Sequence, residues 1–95
     1  MPPPVPPSID DYRYAIQDHF DATARQRGYD SGATCSSYAS STVPAWAAQA
    51  AALIAWRDQV WTYTYAELAK VEAGERAQPS VNAFIGELPA MVWPA

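Results

Sequence analysis

The longest uninterrupted apolar pattern in the chain extends from Val43 to Gly74 and predicts one long helix. Pro44 falls in the first turn, where its missing N–H costs nothing, and a glycine such as Gly74 is typical of a helix end. No Gly or Pro interrupts the residues between them, and alanine is frequent there. At 1.5 Å per residue we expect a helix about 45 Å long.

The apolar positions of this helix form two adjoining faces rather than one stripe. At 100° per residue they cover an arc of about 200°, whereas an ordinary surface helix has a stripe of about 100°. One face holds Trp46, Leu53, Trp56, Val60 and Tyr63, and the other holds Ala47, Ala50, Ile54, Trp61, Tyr65 and Leu68. The helix therefore has more apolar surface than so short a chain is expected to cover.

The segment before Gly28 predicts a second, one-sided helix over residues 8–27. Ser8 and Asp11 have the spacing of a capping box, in which each side chain bonds the other residue's backbone N–H. The apolar positions form a single narrow stripe made of Ile9, Tyr12, Ile16 and Phe20. We expect this stripe to cover part of one face of the long helix.

Two short helices complete the predicted pattern. Residues 33–41 are rich in serine, and Asp30 or Ser31 precedes them as an N-cap. Ser80 caps the last helix, which ends before Pro89 because a proline disfavours helical geometry in the residue before it.

The predicted fold class is all-α, since no segment has the two-residue period of a strand. We predict a small helical bundle around the central helix at about 43–74, with helix 8–27 packed on it and two short helices. A compact chain of this length has an expected radius of gyration of about 12 Å, a sphere about 32 Å across. The long helix must therefore overhang its own fold or be covered by another chain.

Both ends of the chain have distinctive composition. Residues 1–7, MPPPVPP, predict an extended proline-rich linker, or alternatively a docking motif for a proline-binding domain, ahead of a single helical domain at 8–95. Near the other end, Met91 to Pro94 is too apolar to extend into water without cost. We expect Trp93 to lie against the bundle or a partner.

The charge and cysteine content exclude several classes of function. The net charge is −4 with six basic residues, which leaves no footprint for nucleic acid or an anionic membrane surface. The apolar run that begins at Ala45 stops at Arg57, short of the roughly 20 residues that span a bilayer. A single cysteine, Cys35, excludes an internal disulfide, and no signal-peptide pattern is present, so we expect folding in a reducing cytoplasm.

No residue pattern predicts a catalytic, cofactor or metal site, and we expect the chain not to be an enzyme. His19 is the only histidine and Cys35 the only cysteine, so a His19/Cys35 pair is the one cysteine–histidine dyad that the chain could form. Cys35 lies among serines without a basic neighbour to lower its pKa. The acidic residues of the first helix are spread around its polar face, which favours solvation over metal binding; they are Asp10, Asp11, Asp18 and Asp21.

The candidate interface residues are aromatic or basic, because Trp, Tyr and Arg dominate the energetics of protein interfaces. Arg57 falls between the two apolar faces, where it either contacts an aromatic ring or an acid of its own chain or reaches across an interface. The aromatic residues are core, or they form a platform for a sugar or peptide. The candidate interface residues are Trp46, Trp56, Arg57, Trp61, Tyr63 and Trp93.

The chain resembles a small helical module found in bacteriophage and prophage tail-region proteins. The resemblance rests on DYRYAIQDHFDATARQRGYDS, on SYASSTVPAWAAQAAALIAWRDQVWTY, and on the closing P-S-V-x-x-F-I-x-E-L-P with VWP. It covers the chain from Ser8 to Pro94, and its most specific part is Trp-Arg-Asp-x-Val-Trp at residues 56–61. Such modules often form the C-terminal part of tail-fibre-associated or tail-assembly proteins.

This resemblance implies a non-enzymatic interaction module, either a tail-fibre assembly factor or a structural tail component. Its partner would be a phage tail or tail-fibre protein, and it would act in the bacterial host cytoplasm during assembly or in the virion tail. Self-association as a homodimer or homotrimer would also cover the apolar arc. The alternative function is a host-receptor or glycan-contacting module, which needs a flat exposed ring beside polar donors.

Overall fold

The structure, a computed structural model, describes residues 5–95 and confirms the all-α class across that range. It contains four α-helices and a short 3-10 helix at Ser37–Ser40, and no strand. The α-helices are α1 (Ile9–Arg25), α2 (Gly32–Ser36), α3 (Pro44–Glu72) and α4 (Val81–Glu87). The first four residues of the proline-rich linker lie outside the described range.

Helix α1 begins with the predicted capping box. The N–H of Asp11 donates to Ser8 Oγ at 3.3 Å, and the N–H of Ser8 donates to the Asp11 carboxylate at 2.8 Å. The helix ends at Arg25, two residues before the predicted position, and Gly28 takes a φ of +86°. Glycine adopts this left-handed conformation readily because it has no Cβ, so the chain turns here towards α2.

The serine-rich segment differs from the prediction of one helix over residues 33–41. Helix α2 stops at Ser36, and the chain continues as the 3-10 helix. Ser31 is the N-cap, its Oγ accepting the N–H of Thr34 at 3.1 Å, and Ser37 Oγ donates to the Thr34 carbonyl at 2.6 Å. Such local side-chain bonds compete with the regular helical ladder, which explains the early end of α2.

A glycine allows α2 to approach α1 closely. A Cβ at Gly32 would lie 1.9 Å from a ring carbon of Phe20, so no other residue fits without displacing that ring. The carboxylate of Asp21 accepts the N–H of Gly32 at 2.9 Å and fixes the approach. As a result, Cys35 is fully buried in the core beside α3.

Helix α3 has 29 residues and is about 43 Å long, with Pro44 in its first turn as predicted. Its buried residues are Ala50, Leu53, Trp56 and Val60. These belong to its N-terminal part, and no residue from Trp61 to Glu72 is fully buried. We call residues 44–60 the N-terminal half of α3 and the shorter stretch of residues 61–72 its C-terminal half; the two are packed very differently.

The core is formed mainly by one face of α3 with one stripe of α1 and single residues of α2 and α4. It consists of Ile16, Ala24, Cys35, Leu53, Trp56, Val60 and Phe84. The molecule measures 54 × 29 × 19 Å, and its radius of gyration of 15.7 Å exceeds the roughly 12 Å of a compact chain. Within the described residues no helix is both long enough and apolar enough to cross a bilayer.

Candidate functional site

Helices α1 and α3 are antiparallel, so the start of α1 lies beside the end of α3. Near the middle of the pair, His19 packs edge-on against Trp56, and just beyond α1 the hydroxyl of Tyr29 donates to Gln49 Oε1 at 2.7 Å. A concave surface lies towards each end of the pair. We call them the apolar cleft, between segments 7–16, 61–72 and 76–84, and the aromatic pocket, between segments 27–29, 38 and 45–49.

The apolar cleft has a volume of about 310 Å³. Its hydrophobic lining comes from all three segments and consists of Ile9, Tyr12, Ile16, Trp61, Tyr65, Leu68, Val71, Pro79 and Phe84. Ile9 and Tyr65 are 63% and 64% exposed, so this apolar surface continues out of the cleft. Cavities of about 300 Å³ and more are large enough to enclose a small ligand or the side chains of a partner.

One wall of the cleft is a loop held by polar contacts. The hydroxyl of Tyr12 donates to the carbonyl of Pro79, and Gln78 Nε2 donates to the carbonyl of Pro7 at 2.8 Å. The guanidinium of Arg76 lies 5.8 Å from the centre of the Phe84 ring. These contacts join the loop to α1, to α4 and to the segment before α1, and so they fix the shape of the cleft.

Arg76 is the centre of an ion cluster beside the cleft. It pairs with Glu67 of α3 at 2.8 Å and with Glu87 of α4. Lys70 adds a second cation at 3.0 Å from Glu67, and the hydroxyl of Tyr63 donates to Glu87 at 2.8 Å. The cluster links the C-terminal part of α3 to α4, beside the stacked rings of Tyr63 and Phe84.

The cluster changes the pKa values of its members in a consistent way. Hydrogen bonds from Lys70 and Arg76 lower the pKa of Glu67, and those from Arg76 and Tyr63 lower the pKa of Glu87. The hydrogen bond to Glu87 raises the pKa of Tyr63, because ionised tyrosine would lose that donor. The carboxylates therefore remain charged and paired at neutral pH, which suits a structural role.

The aromatic pocket has a volume of about 380 Å³ and contains three neighbouring rings. Tyr38 lies 5.6 Å from Tyr29 and 5.7 Å from Trp46 between ring centres, the latter pair being nearly perpendicular. Trp46 is 48% exposed. Arg27 and Gln49 add polar groups to the lining. Since Gln49 Oε1 accepts from Tyr29, its Nε2 group is the part that can donate to a ligand.

The three tryptophans of α3 have different environments. Trp61 lines the apolar cleft, and Trp46 lines the aromatic pocket. Trp56 is only 5% exposed, and its indole N–H donates to the Pro89 carbonyl at 2.7 Å. Trp56 is a core residue in this structure, so its ring is not available to a partner.

The remaining candidate interface residues contact groups of their own chain. Arg57 forms a surface ion pair with its neighbour Asp58, both its Nε and one terminal nitrogen donating at 3.0–3.1 Å. Tyr63 belongs to the ion cluster, and Trp93 packs against the core with Arg27 over its ring at 5.3 Å. Trp93 thus lies against the bundle as predicted, whereas Arg57 is not stacked on Trp61.

The residues considered for catalysis are buried or take part in contacts that stabilise the fold. Cys35 is completely buried, and burial raises the pKa of its thiol, which is the opposite of activation. Asp10 pairs with Arg13, while Asp11 caps α1. Within residues 5–95 no group of three or more His, Cys, Asp or Glu side chains could hold a metal ion.

Sequence reasoning did not find the polar residues of these surfaces. Helical periodicity placed Tyr65 and Ile9 on apolar faces without indicating that they would be exposed. Arg76 and Gln78 lie in a loop with no recognisable motif, and they reach their partners only through the tertiary fold.

No family model matches the chain, and searches of curated proteins and of solved structures likewise found no match.

Proposed function

We propose that this chain is a non-enzymatic interaction module of a bacteriophage tail, either a tail-fibre assembly factor or a structural tail component. It binds a tail or tail-fibre protein, whose apolar side chains enter the apolar cleft. The phage context is supported by the sequence resemblance from Ser8 to Pro94. The role of the cleft is supported by its geometry.

The observation that carries the proposal is a pre-formed apolar concavity that continues onto exposed apolar side chains. Two-thirds of the surface of Ile9 and Tyr65 is in water beside the cleft. Apolar surface that is both concave and continuous is typical of interaction sites, whereas scattered exposed hydrophobic residues need no such explanation. The cleft is held by hydrogen bonds and ion pairs, so little ordering is needed when a partner binds.

We propose a revised set of residues for this interaction. Trp61 remains an anchor because it lines the cleft, and Tyr65 and Ile9 join it. Trp56 is removed because it is buried in the core. A partner that fills the cleft would contact the C-terminal half of α3 and the first two turns of α1.

The proposal is tested by binding to tail and tail-fibre proteins encoded in the same genome as this chain, co-expressed with it and analysed by size-exclusion chromatography with light scattering. We expect Tyr65→Ala and Ile9→Asp to weaken the complex at least about tenfold without loss of helicity, since hot-spot residues of an interface contribute about 2 kcal/mol or more each. Tyr14→Ala is the matched control, because Tyr14 is a similarly exposed α1 aromatic that does not line the cleft.

Complexes that withstand both cleft substitutions would contradict the proposal. So would a complex that is lost with Tyr14→Ala to the same extent. A homodimer or homotrimer that disappears with the same two substitutions would show that the cleft is covered by a second copy of the chain.

A further inference from the structure

The aromatic pocket has the composition of a site for an extended proline-rich segment. Proline rings pack against aromatic faces, and the carbonyls of such a segment are free to accept hydrogen bonds because its backbone has no internal ones. The pocket provides the rings of Tyr29, Tyr38 and Trp46. Gln49 and Arg27 also line the pocket, and both side chains carry N–H donors.

The chain itself contains a segment of this kind at residues 1–7, MPPPVPP. Pro3 with Pro6, and Pro4 with Pro7, have the P-x-x-P spacing that places two prolines on one side of a polyproline helix. Proline also has a fixed φ, which lowers the entropic cost of binding in an extended form. Where the structure describes this segment, Val5 is 88% exposed and Pro6 is exposed as well.

The segment cannot reach the pocket of its own chain. Pro7 lies against the apolar cleft, beside the start of α1, and Arg27 follows the end of α1. The 17 residues of α1 separate the two by about 26 Å. Six extended residues before Pro7 span only about 19 Å at 3.1 Å per residue. Residues 1–7 can therefore occupy the pocket only of another copy.

We propose that the aromatic pocket binds the proline-rich segment of a second copy of this chain, in a head-to-tail arrangement. Each copy then offers a pocket at one end and a segment near the other, so the contact is heterologous and can repeat along a row of copies. The pocket and the apolar cleft share no lining residue, and this inference does not depend on the proposed function.

The first test is complementation between two variants of the full chain, followed by analytical ultracentrifugation. Trp46→Ala removes the pocket, and Pro3→Ala with Pro4→Ala and Pro6→Ala removes the segment. We expect the wild type to increase in mass with concentration and each variant alone to remain monomeric. An equimolar mixture of the two should form a one-to-one pair and nothing larger, because each variant retains one half of the contact.

Tyr14→Ala is the matched control, since Tyr14 is an exposed α1 aromatic outside both the pocket and the cleft, and it should associate as the wild type does. Association that survives Trp46→Ala, or that is lost to the same extent with Tyr14→Ala, would overturn the inference. A wild type that remains monomeric at every concentration would do the same.

The second test adds a synthetic peptide of residues 1–7 to the segment variant and follows the protein by NMR. We expect shifts confined to residues 27–29, 38 and 45–49, and an affinity at least about tenfold lower when Trp46→Ala is also present. A methyl pyranoside is the comparison ligand. Shifts produced by the sugar and not by the peptide would overturn the inference in favour of a glycan site.

Discussion

The two halves of α3, residues 44–60 and residues 61–72, each contain five large apolar or aromatic residues but are packed very differently. The N-terminal half contributes Leu53, Trp56 and Val60 to the core. In the C-terminal half, Trp61 and Leu68 are only half-buried and Tyr65 is mostly exposed. The neighbours explain the difference, because α2, the 3-10 helix and the second half of α1 cover the first half, whereas the second half has the start of α1, α4 and a loop.

This comparison shows that the neighbouring elements determine whether an apolar helix face becomes part of the core or part of the surface. The close approach at Gly32 brings α2 onto the N-terminal half and allows dense packing there. At the other end, ion pairs of Arg76 replace much of that packing and leave a cleft. The central claim is that α3 is anchored by its N-terminal half and is less tightly packed in its C-terminal half.

The largest expected effect separates the two halves directly. Leu53→Ala should lower the free energy of unfolding by about 2–5 kcal/mol, because Leu53 is fully buried and its truncation leaves a cavity. Leu68→Ala should cost about 1 kcal/mol, because the side chain already borders open space. Urea unfolding followed by circular dichroism measures both. Equal losses would contradict the comparison.

A second substitution tests how tightly α2 is packed where it covers the N-terminal half of α3. Gly32→Ala should lower the free energy of unfolding by about 1–3 kcal/mol, because the new methyl group collides with the ring of Phe20. Gly86→Ala is the control, since a Cβ there meets nothing within 4 Å and alanine favours a helix. We expect the control to be neutral or stabilising. A neutral Gly32→Ala would mean that α2 is not tightly held against α1.

The ion cluster makes the stability of the C-terminal half depend on pH. The pKa values of Glu67 and Glu87 are lowered from 4.5 in the folded chain, so their contribution is complete above that value and is lost as the pH falls through the folded values. Arg76→Gln should therefore reduce the loss of stability between about pH 6 and pH 3. Unfolding curves across that range measure it.

Arg13→Gln is the matched control for this pH experiment. Arg13 pairs with Asp10, and both side chains are more than half exposed, so the pair is expected to contribute little. Removing this ion pair should leave the decrease in the free energy of unfolding at acidic pH unchanged. An identical pH profile for wild type and Arg76→Gln would show that the cluster does not support this half of the molecule.

The smallest expected effect is at the edge of the cleft. Tyr65→Ala should change the free energy of unfolding by no more than about 0.5 kcal/mol, because the ring is mostly in water. Thermal unfolding monitored by circular dichroism is sufficient to detect it. A loss comparable to that of Leu53→Ala would mean that Tyr65 is a core residue and that the cleft is closed in solution.

The sequence was sufficient for the long helices α1 and α3, and insufficient for the serine-rich segment and for the surfaces. The capping box at Ser8 and the first-turn Pro44 are local features, and both predicted helix starts are confirmed. The periodicity of α3 identified its apolar faces, but burial depends on which neighbours reach them. Periodicity therefore could not distinguish Trp56 in the core from half-exposed Trp46, because both lie on the same predicted face.

The contacts that shape the cleft cannot be predicted from the spacing of residues along the chain. Arg76 meets Glu87 and Glu67 only after the chain has turned back on itself, and Tyr12 meets the Pro79 carbonyl across most of the sequence. The placement of Gly32 against Phe20 likewise has no local signal. Such long-range polar and steric contacts decided which half of α3 was covered.

Amide hydrogen exchange along α3 tests the central claim most directly. We expect the amides of residues 53–60 to exchange only through global unfolding, and those of residues 66–72 to exchange faster through local opening of the less packed half. Substitution of Leu53 should then accelerate the first group far more than the second. Uniform protection from residue 53 to residue 72 would contradict the claim, because it would show that both halves belong to one equally packed unit.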